Sequence, residues 1–125
     1  MPIAQTQRLA ISYQQSGIGP DVVMVHGLAA NLAFWYLKIV PHFTPHYRVT
    51  AYDLRGHGRS EMPPTGYTTR DLAEDLIALL DERGIEKAHL VGHSIGGSVC
   101  VHAAVLHPER VASLTLVECR LHAFQ

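Results

Sequence analysis

At 125 residues the chain is one domain by size, long enough to bury a real core. A net charge of −1 gives no electrostatic reason to expect nucleic acid, and no apolar run approaches the roughly 18 residues that cross a membrane. Met1-Pro2-Ile3-Ala4-Gln5 lacks the basic-then-apolar layout of a secretory signal, and Cys100 and Cys119 show no framework or metal spacing, so both fit reduced thiols in a cytoplasmic protein.

Arg8 to Gln14 alternates loosely and is expected as a strand, turning at Ser16-Gly17-Ile18-Gly19-Pro20 into a second one. That second strand, Val22 to Val25, is a continuous apolar run of the kind buried on both faces of a parallel sheet. It ends in His26-Gly27-Leu28, where glycine lets the chain swing over the end of the sheet. Ala33 to Phe43 is expected as a helix stopped by Pro45, with Trp35 near its start as core packing. Arg48 to Tyr52 is the next strand, and Asp53 to Ser60 the loop leaving it. Gly56 and Gly58 make that loop a compact turn whose charges need not touch substrate.

Thr68 or Thr69 then caps a helix, and Asp71 is placed to return the capping bond to Thr68. Leu72, Leu76, Ile77 and Leu80 form the apolar stripe, Gly84 ends the helix, and Asp71, Glu74, Asp75 and Asp81 read as a solvated face. Ala88 to Val91 is a strand. The helix after it is apolar nearly all round to Leu106, hence covered on more than one side, and Pro108 ends it. Val111 to Val117 reads as another buried strand. Alternation of this kind means an α/β fold with a mostly parallel sheet, right-handed crossovers and helices on both faces.

Nine histidines raise the question of a metal. His42 and His46 are separated by Pro45, which breaks the helix that would align them, and His102 and His107 do not share a helix face. Solvated or capping histidines account for them better, and neither a metal nor a cofactor is expected.

One stretch carries chemistry: Leu90-Val91-Gly92-His93-Ser94-Ile95-Gly96-Gly97, a short strand running straight into a helix with a serine at the corner. Gly-x-Ser-x-Gly alone is usually just a turn. Between a strand and a helix it gains a mechanical reason, because small residues at Gly92 and Gly96 let backbone pass close by while Ser94 is forced outward. The helix starting at Ile95 aims its unpaired N–H groups at the same spot. Loops at the C-terminal ends of parallel strands share one rim, so His26-Gly27-Leu28, Asp53-Leu54 and Ser94 should meet there.

Three blocks in order, Val25-His26-Gly27-Leu28, Asp53 to Ser60 and Gly92 to Gly97, make the chain resemble the N-terminal half of an α/β-hydrolase, from about Leu9 to Val117. The resemblance implies a three-layer α/β/α core of the α/β-hydrolase fold, with residues 1–125 as the N-terminal portion of a single core domain and its sheet truncated at the C-terminal edge. It also implies Ser94 as a nucleophile acting on an ester, thioester or related small-molecule carbonyl substrate. The amide of Ile95 would supply one oxyanion donor and, by the resemblance, that of Leu28 the second, each worth about 3 kcal/mol of barrier. In the family the order is serine, acid, histidine, and the family's histidine lies beyond Gln125, so no clear ester turnover is expected of these residues alone. His122 is the one downstream histidine positioned to return to the rim, and Glu118 stands where some family members keep their acid. His93 is expected to be structural, diverging from Ser94 at the corner. A non-catalytic, hydrolase-like binding protein is the competing class. A nucleotide-binding domain is weak, since Gly92 to Gly97 lacks the Gly-x-Gly-x-x-Gly spacing. No nucleic-acid or membrane partner is expected, but the apolar edge at 114–117 should promote self-association.

Overall fold

A computed structural model describes residues 2–27, 30–36 and 39–119. The elements are β1 (Ile3–Gln5), β2 (Ala10–Ser16), β3 (Asp21–Val25), α1 (Ala33–Tyr36), α2 (Val40–Phe43), β4 (Arg48–Tyr52), α3 (Thr69–Glu82), β5 (Ala88–His93), α4 (Ile95–Leu106) and β6 (Val111–Val117), with a 3₁₀ turn at Pro108–Arg110. They build one mixed sheet in the order β1-β2-β4-β3-β5-β6. β1 and β2 are antiparallel to their neighbours, and β4, β3, β5 and β6 run parallel.

The apolar run in β3 explains its central place. Val23 and Val25 face a core shared with α3 and α4, while Val22 and Met24 face a second core with Leu32, Trp35 and Val40. A period of two with both faces apolar is what a strand between two helical layers requires. α3 begins at the expected capping box: the Thr68 hydroxyl accepts the Asp71 amide, and the Asp71 carboxylate accepts the Thr68 amide. It closes at Gly84, whose φ of +67° suits a residue without a side chain. Trp35 is buried in the second core, as expected. Among the described residues no helix is long and apolar enough to cross a membrane.

Four expectations need correction. The first long strand is Ala10–Ser16 rather than Arg8 to Gln14, because Thr6 closes a turn on Leu9 through its hydroxyl at 2.7 Å. The short strand β1 precedes it and was not anticipated. The single helix over 33–43 is two short ones, since Pro41 has no N–H to continue the ladder and instead starts α2. Finally, β6 forms where expected but is not buried: among the described residues it pairs only with β5, and Leu114, Leu116 and Val117 are each more than a third exposed.

Candidate active site

Because β3, β4, β5 and β6 are parallel and in register, with Val25 beside both Tyr52 and Gly92 and Gly92 beside Leu116, their C-terminal ends form one rim. His26-Gly27, Asp53-Leu54, Ser94 and Glu118 all leave the sheet there.

Ser94 occupies the turn between β5 and α4 with φ 57° and ψ −122°, and it is exposed. L-residues other than glycine avoid that region at a cost of about 1–3 kcal/mol, so something must hold the backbone there. Two hydrogen bonds do so: the Ser94 amide donates to the Val117 carbonyl at 2.9 Å, and the Gly97 amide to the Ser94 carbonyl at 2.9 Å. Two glycines make the corner possible. A Cβ at Gly92 would stand 2.5 Å from the Gly96 carbonyl oxygen, and one at Gly96 would strike the carbonyls of Val25 and His26. The helix therefore seats its first turn directly on the end of β3. Ile95 opens α4, and the amides of a helix's first turn have no partner within the helix. The strand-to-helix corner expected around Ser94 is thus present, with Ile95 as the first residue of α4.

Gly27 lies against this corner, its Cβ position 3.3 Å from Ser94 Cβ and 3.1 Å from His93 Nδ1. Leu28 and His122 lie outside the described residues. Glu118 is exposed, sits at φ 49°, and places its carboxylate 3.7 Å from His93 Nε2. His93 also meets the Trp35 ring edge-on, with centroids 6.5 Å apart. His102 and His107 are turned to α3, with His102 Nδ1 3.1 Å from the Thr69 hydroxyl and His107 Nε2 2.6 Å from Glu74.

Three buried polar residues around the rim carry roles that sequence reasoning missed. His26 is fully buried; its Nε2 accepts the Leu54 amide at 3.0 Å and its Nδ1 lies 2.6 Å from the Gly27 carbonyl. An acceptor Nε2 places the proton on Nδ1, where it is donated to Gly27. Burial holds the ring below its ordinary 6.5, against the opposing pull of the Gly27 bond. Asp53, also buried, accepts the Leu32 amide at 2.8 Å and the Arg59 amide at 3.0 Å. Gly58 is required beside it, since a Cβ there would land on the Asp53 carboxylate.

Asp75 corrects an expectation. It is not on a solvated face but buried, accepting Arg55 Nε at 2.8 Å, Arg55 Nη2 at 2.9 Å and Arg8 Nε at 2.7 Å. The Asp75 bond raises the Arg55 pKa further still. A signal was present: Leu72, Asp75, Leu76, Leu79 and Leu80 follow helical spacing, which puts the carboxylate inside the apolar stripe. The Asp53–Ser60 loop is indeed a compact turn whose arginine faces inward.

The family model for the alpha/beta hydrolase fold matches residues 20–124. The chain is 38% identical over 115 residues to the dihydrolipoyllysine-residue acetyltransferase component of the acetoin cleaving system of Cupriavidus necator, covering 91% of this chain and 30% of that one. It is 40% identical to the pimeloyl-[acyl-carrier protein] methyl ester esterase of Aeromonas hydrophila, covering 87% and 41%. Among solved structures, the enol-lactonase of Burkholderia xenovorans LB400 superposes with a TM-score of 0.84 at 32% identity, covering 90% and 45%. The chain spans less than half the length of each of these relatives.

Proposed function

The chain belongs to the α/β-hydrolase fold family, and on that premise we propose that it carries the nucleophile half-site of a serine hydrolase acting on an ester, thioester or related carbonyl. One observation carries this reading: Ser94 is exposed at a strained strand-to-helix corner, φ 57° and ψ −122°, which two hydrogen bonds and two obligatory glycines maintain. Strain of this kind clusters where a group must be presented.

In the proposed reaction Ser94 Oγ attacks the carbonyl carbon, and its proton passes to a histidine base. Negative charge moves to the carbonyl oxygen, where the amides of Ile95 and Leu28 receive it. Collapse of this intermediate expels the alcohol or thiol with that proton and leaves an acyl group on Ser94, which water then removes. Within this chain His122 and Glu118 are the proposed base and acid; the placement of Glu118 at the rim end of β6 favours it for the second role.

The test is covalent. A fluorophosphonate probe, followed by peptide mass mapping, should place one adduct on Ser94 and none in Ser94→Ala. An unmodified Ser94 under conditions that label a control serine esterase would leave the non-catalytic binding protein as the better account.

A further inference from the structure

We propose that Cys119 is a positioning residue for Ser94: seated on Gly97, it fastens the end of β6 to the first turn of α4 and so holds the corner that presents the serine. This rests on the serine-hydrolase reading above. β5 and β6 pair in parallel as far as His93 beside Val117, and the next bond of that ladder is the Ser94 amide on the Val117 carbonyl, at 2.9 Å. The strained corner therefore depends on where the last residue of β6 stands.

That residue is not held by its own strand. Among the described residues β6 pairs only with β5, and Leu116 and Val117 are each more than a third exposed. A chain end with so few neighbours frays unless something ties it down. Two contacts lie beyond it. Glu118 bends the chain at φ 49° and places its carboxylate 3.7 Å from His93 Nε2, but that side chain is exposed, so solvent weakens the tie. Ser94 and Glu118 are the only non-glycine residues with positive φ among the described ones, and such backbone persists only where its surroundings over-determine it. The second contact is Cys119, half-buried, with its Sγ 3.8 Å from the Ser98 hydroxyl oxygen.

Gly97 is what lets Cys119 in. It lies inside α4 without a positive φ, where glycine brings no conformational advantage and weakens the helix. A Cβ at this position would stand 2.8 Å from both the Cβ and the Sγ of Cys119. Rotation about χ1 can carry the sulfur away, but the Cβ is fixed to the chain. An ordinary contact begins at 3.4 Å, so more than half an ångström must be found by lifting Cys119 off α4 or by moving the first turn. Either shift reaches Ser94, through the Val117 carbonyl or through the turn itself, and a displacement of about 1 Å can cost about 100-fold in rate.

The experiment measures the inactivation of the full chain by a fluorophosphonate, separating the covalent rate constant kinact from the binding constant KI, beside unfolding temperature. Gly97→Ala should lower kinact by about tenfold with KI little changed. Cys119→Gly unfastens the end of β6 and should lower kinact by about tenfold as well. It also removes both atoms that the new methyl would meet, so the double variant should label no more slowly than Cys119→Gly alone; this comparison is the one to read should Gly97→Ala not fold. Cys119→Ser keeps the shape of the side chain and should stay within about threefold of the unsubstituted kinact, as should Thr68→Ala, which destabilises α3 away from the rim. A kinact within about threefold of the unsubstituted protein in Cys119→Gly would overturn the inference while leaving Ser94 as nucleophile. So would an equal fold-loss from Gly97→Ala with and without Cys119, or a loss in Thr68→Ala as large as in Cys119→Gly, which would make the effect one of stability. Absence of any Ser94 adduct in the unsubstituted protein would remove the hydrolase reading and this inference with it.

Discussion

Removing the Asp75 carboxylate should be among the most damaging single changes in the chain. Asp75 and Arg55 are both buried, and the carboxylate receives two bonds from Arg55 and one from Arg8, at 2.7 to 2.9 Å. Arg8 loses little, because its head is about one-third exposed and Asp71 lies 3.5 Å away as a second partner. Arg55 loses more: its Nη1 keeps the Thr65 carbonyl at 2.9 Å, but Nε and Nη2 are left in the interior without an acceptor. Stranding one member of a buried ion pair costs about 3–5 kcal/mol. Two charge-assisted bonds at about 1.5–3 kcal/mol each give about 3–6 kcal/mol, which overlaps that range, so about 4 kcal/mol is the working figure for Asp75→Ala. With an unfolding entropy of about 2.1 cal/mol/K per residue, that lowers the melting temperature by about 15 °C for a chain of this length.

Thermal and urea unfolding followed by far-UV circular dichroism would measure it. The cost comes from the stranded guanidinium rather than from the lost attraction, so Asp75→Leu combined with Arg55→Met should recover more than half of it. Because the pair is shielded from solvent ions, added salt should barely change the result. A loss below about 1 kcal/mol in Asp75→Ala, or a double variant no better than the single one, would refute the reasoning.

Gly96→Ala forces a Cβ onto the Val25 and His26 carbonyls, 2.6 Å from the latter, and should cost at least about 3 kcal/mol in urea unfolding together with Ser94 labelling; normal labelling would show that α4 can lift off β3 without consequence. Thr68→Ala removes the capping acceptor at the start of α3 and should cost about 1 kcal/mol, with an unchanged fold by circular dichroism. His26 has a folded pKa below its ordinary 6.5, so the unfolded chain binds the extra proton first. Its contribution to stability is therefore complete above pH 6.5 and is lost as pH falls through the lowered folded value; urea midpoints across that window should decline less steeply in His26→Gln, and equal slopes would refute the assignment. The outer edge of β6 should pair with a second copy, giving a scattering mass that rises with concentration and falls back in Leu116→Lys; a constant monomer mass would count against it.

The parts of the fold that could be read from sequence are those whose causes are local. Val22–Val25 announces a doubly buried strand because every residue is apolar, and Thr68 with Asp71 announces a helix start because the two groups satisfy each other within one turn. β1 escaped notice because three residues are too few to show alternation. The break at Pro41 was written in the sequence and outweighed by the apolar residues around it. β6 shows the opposite limit: Leu114, Leu116 and Val117 read alike whether a helix covers them or nothing does, since burial depends on neighbours rather than on the strand itself.

The same division runs through the site. Ser94 was legible because its geometry is a steric consequence of Gly92 and Gly96 on either side. The residues that hold the rim act across 20 to 28 positions of chain: Asp75 to Arg55, Leu32 to Asp53, Leu54 to His26. Sequence can reveal that such a residue is out of place without revealing its partner. Helical phase alone puts Asp75 in the apolar stripe and so demands a cation. It does not choose between Arg8, Arg55, Arg59 and Arg83. That choice depends on the path of the Asp53–Ser60 loop, which turns through positive φ at Gly56 (74°) and Gly58 (50°), sending the Arg55 guanidinium inward to Asp75 and the Arg59 amide to Asp53. Two glycines that read only as turn-formers thereby decide which arginine is buried, and through Asp53 and Leu54 they also bear on how Leu32 and His26 are tied to that loop.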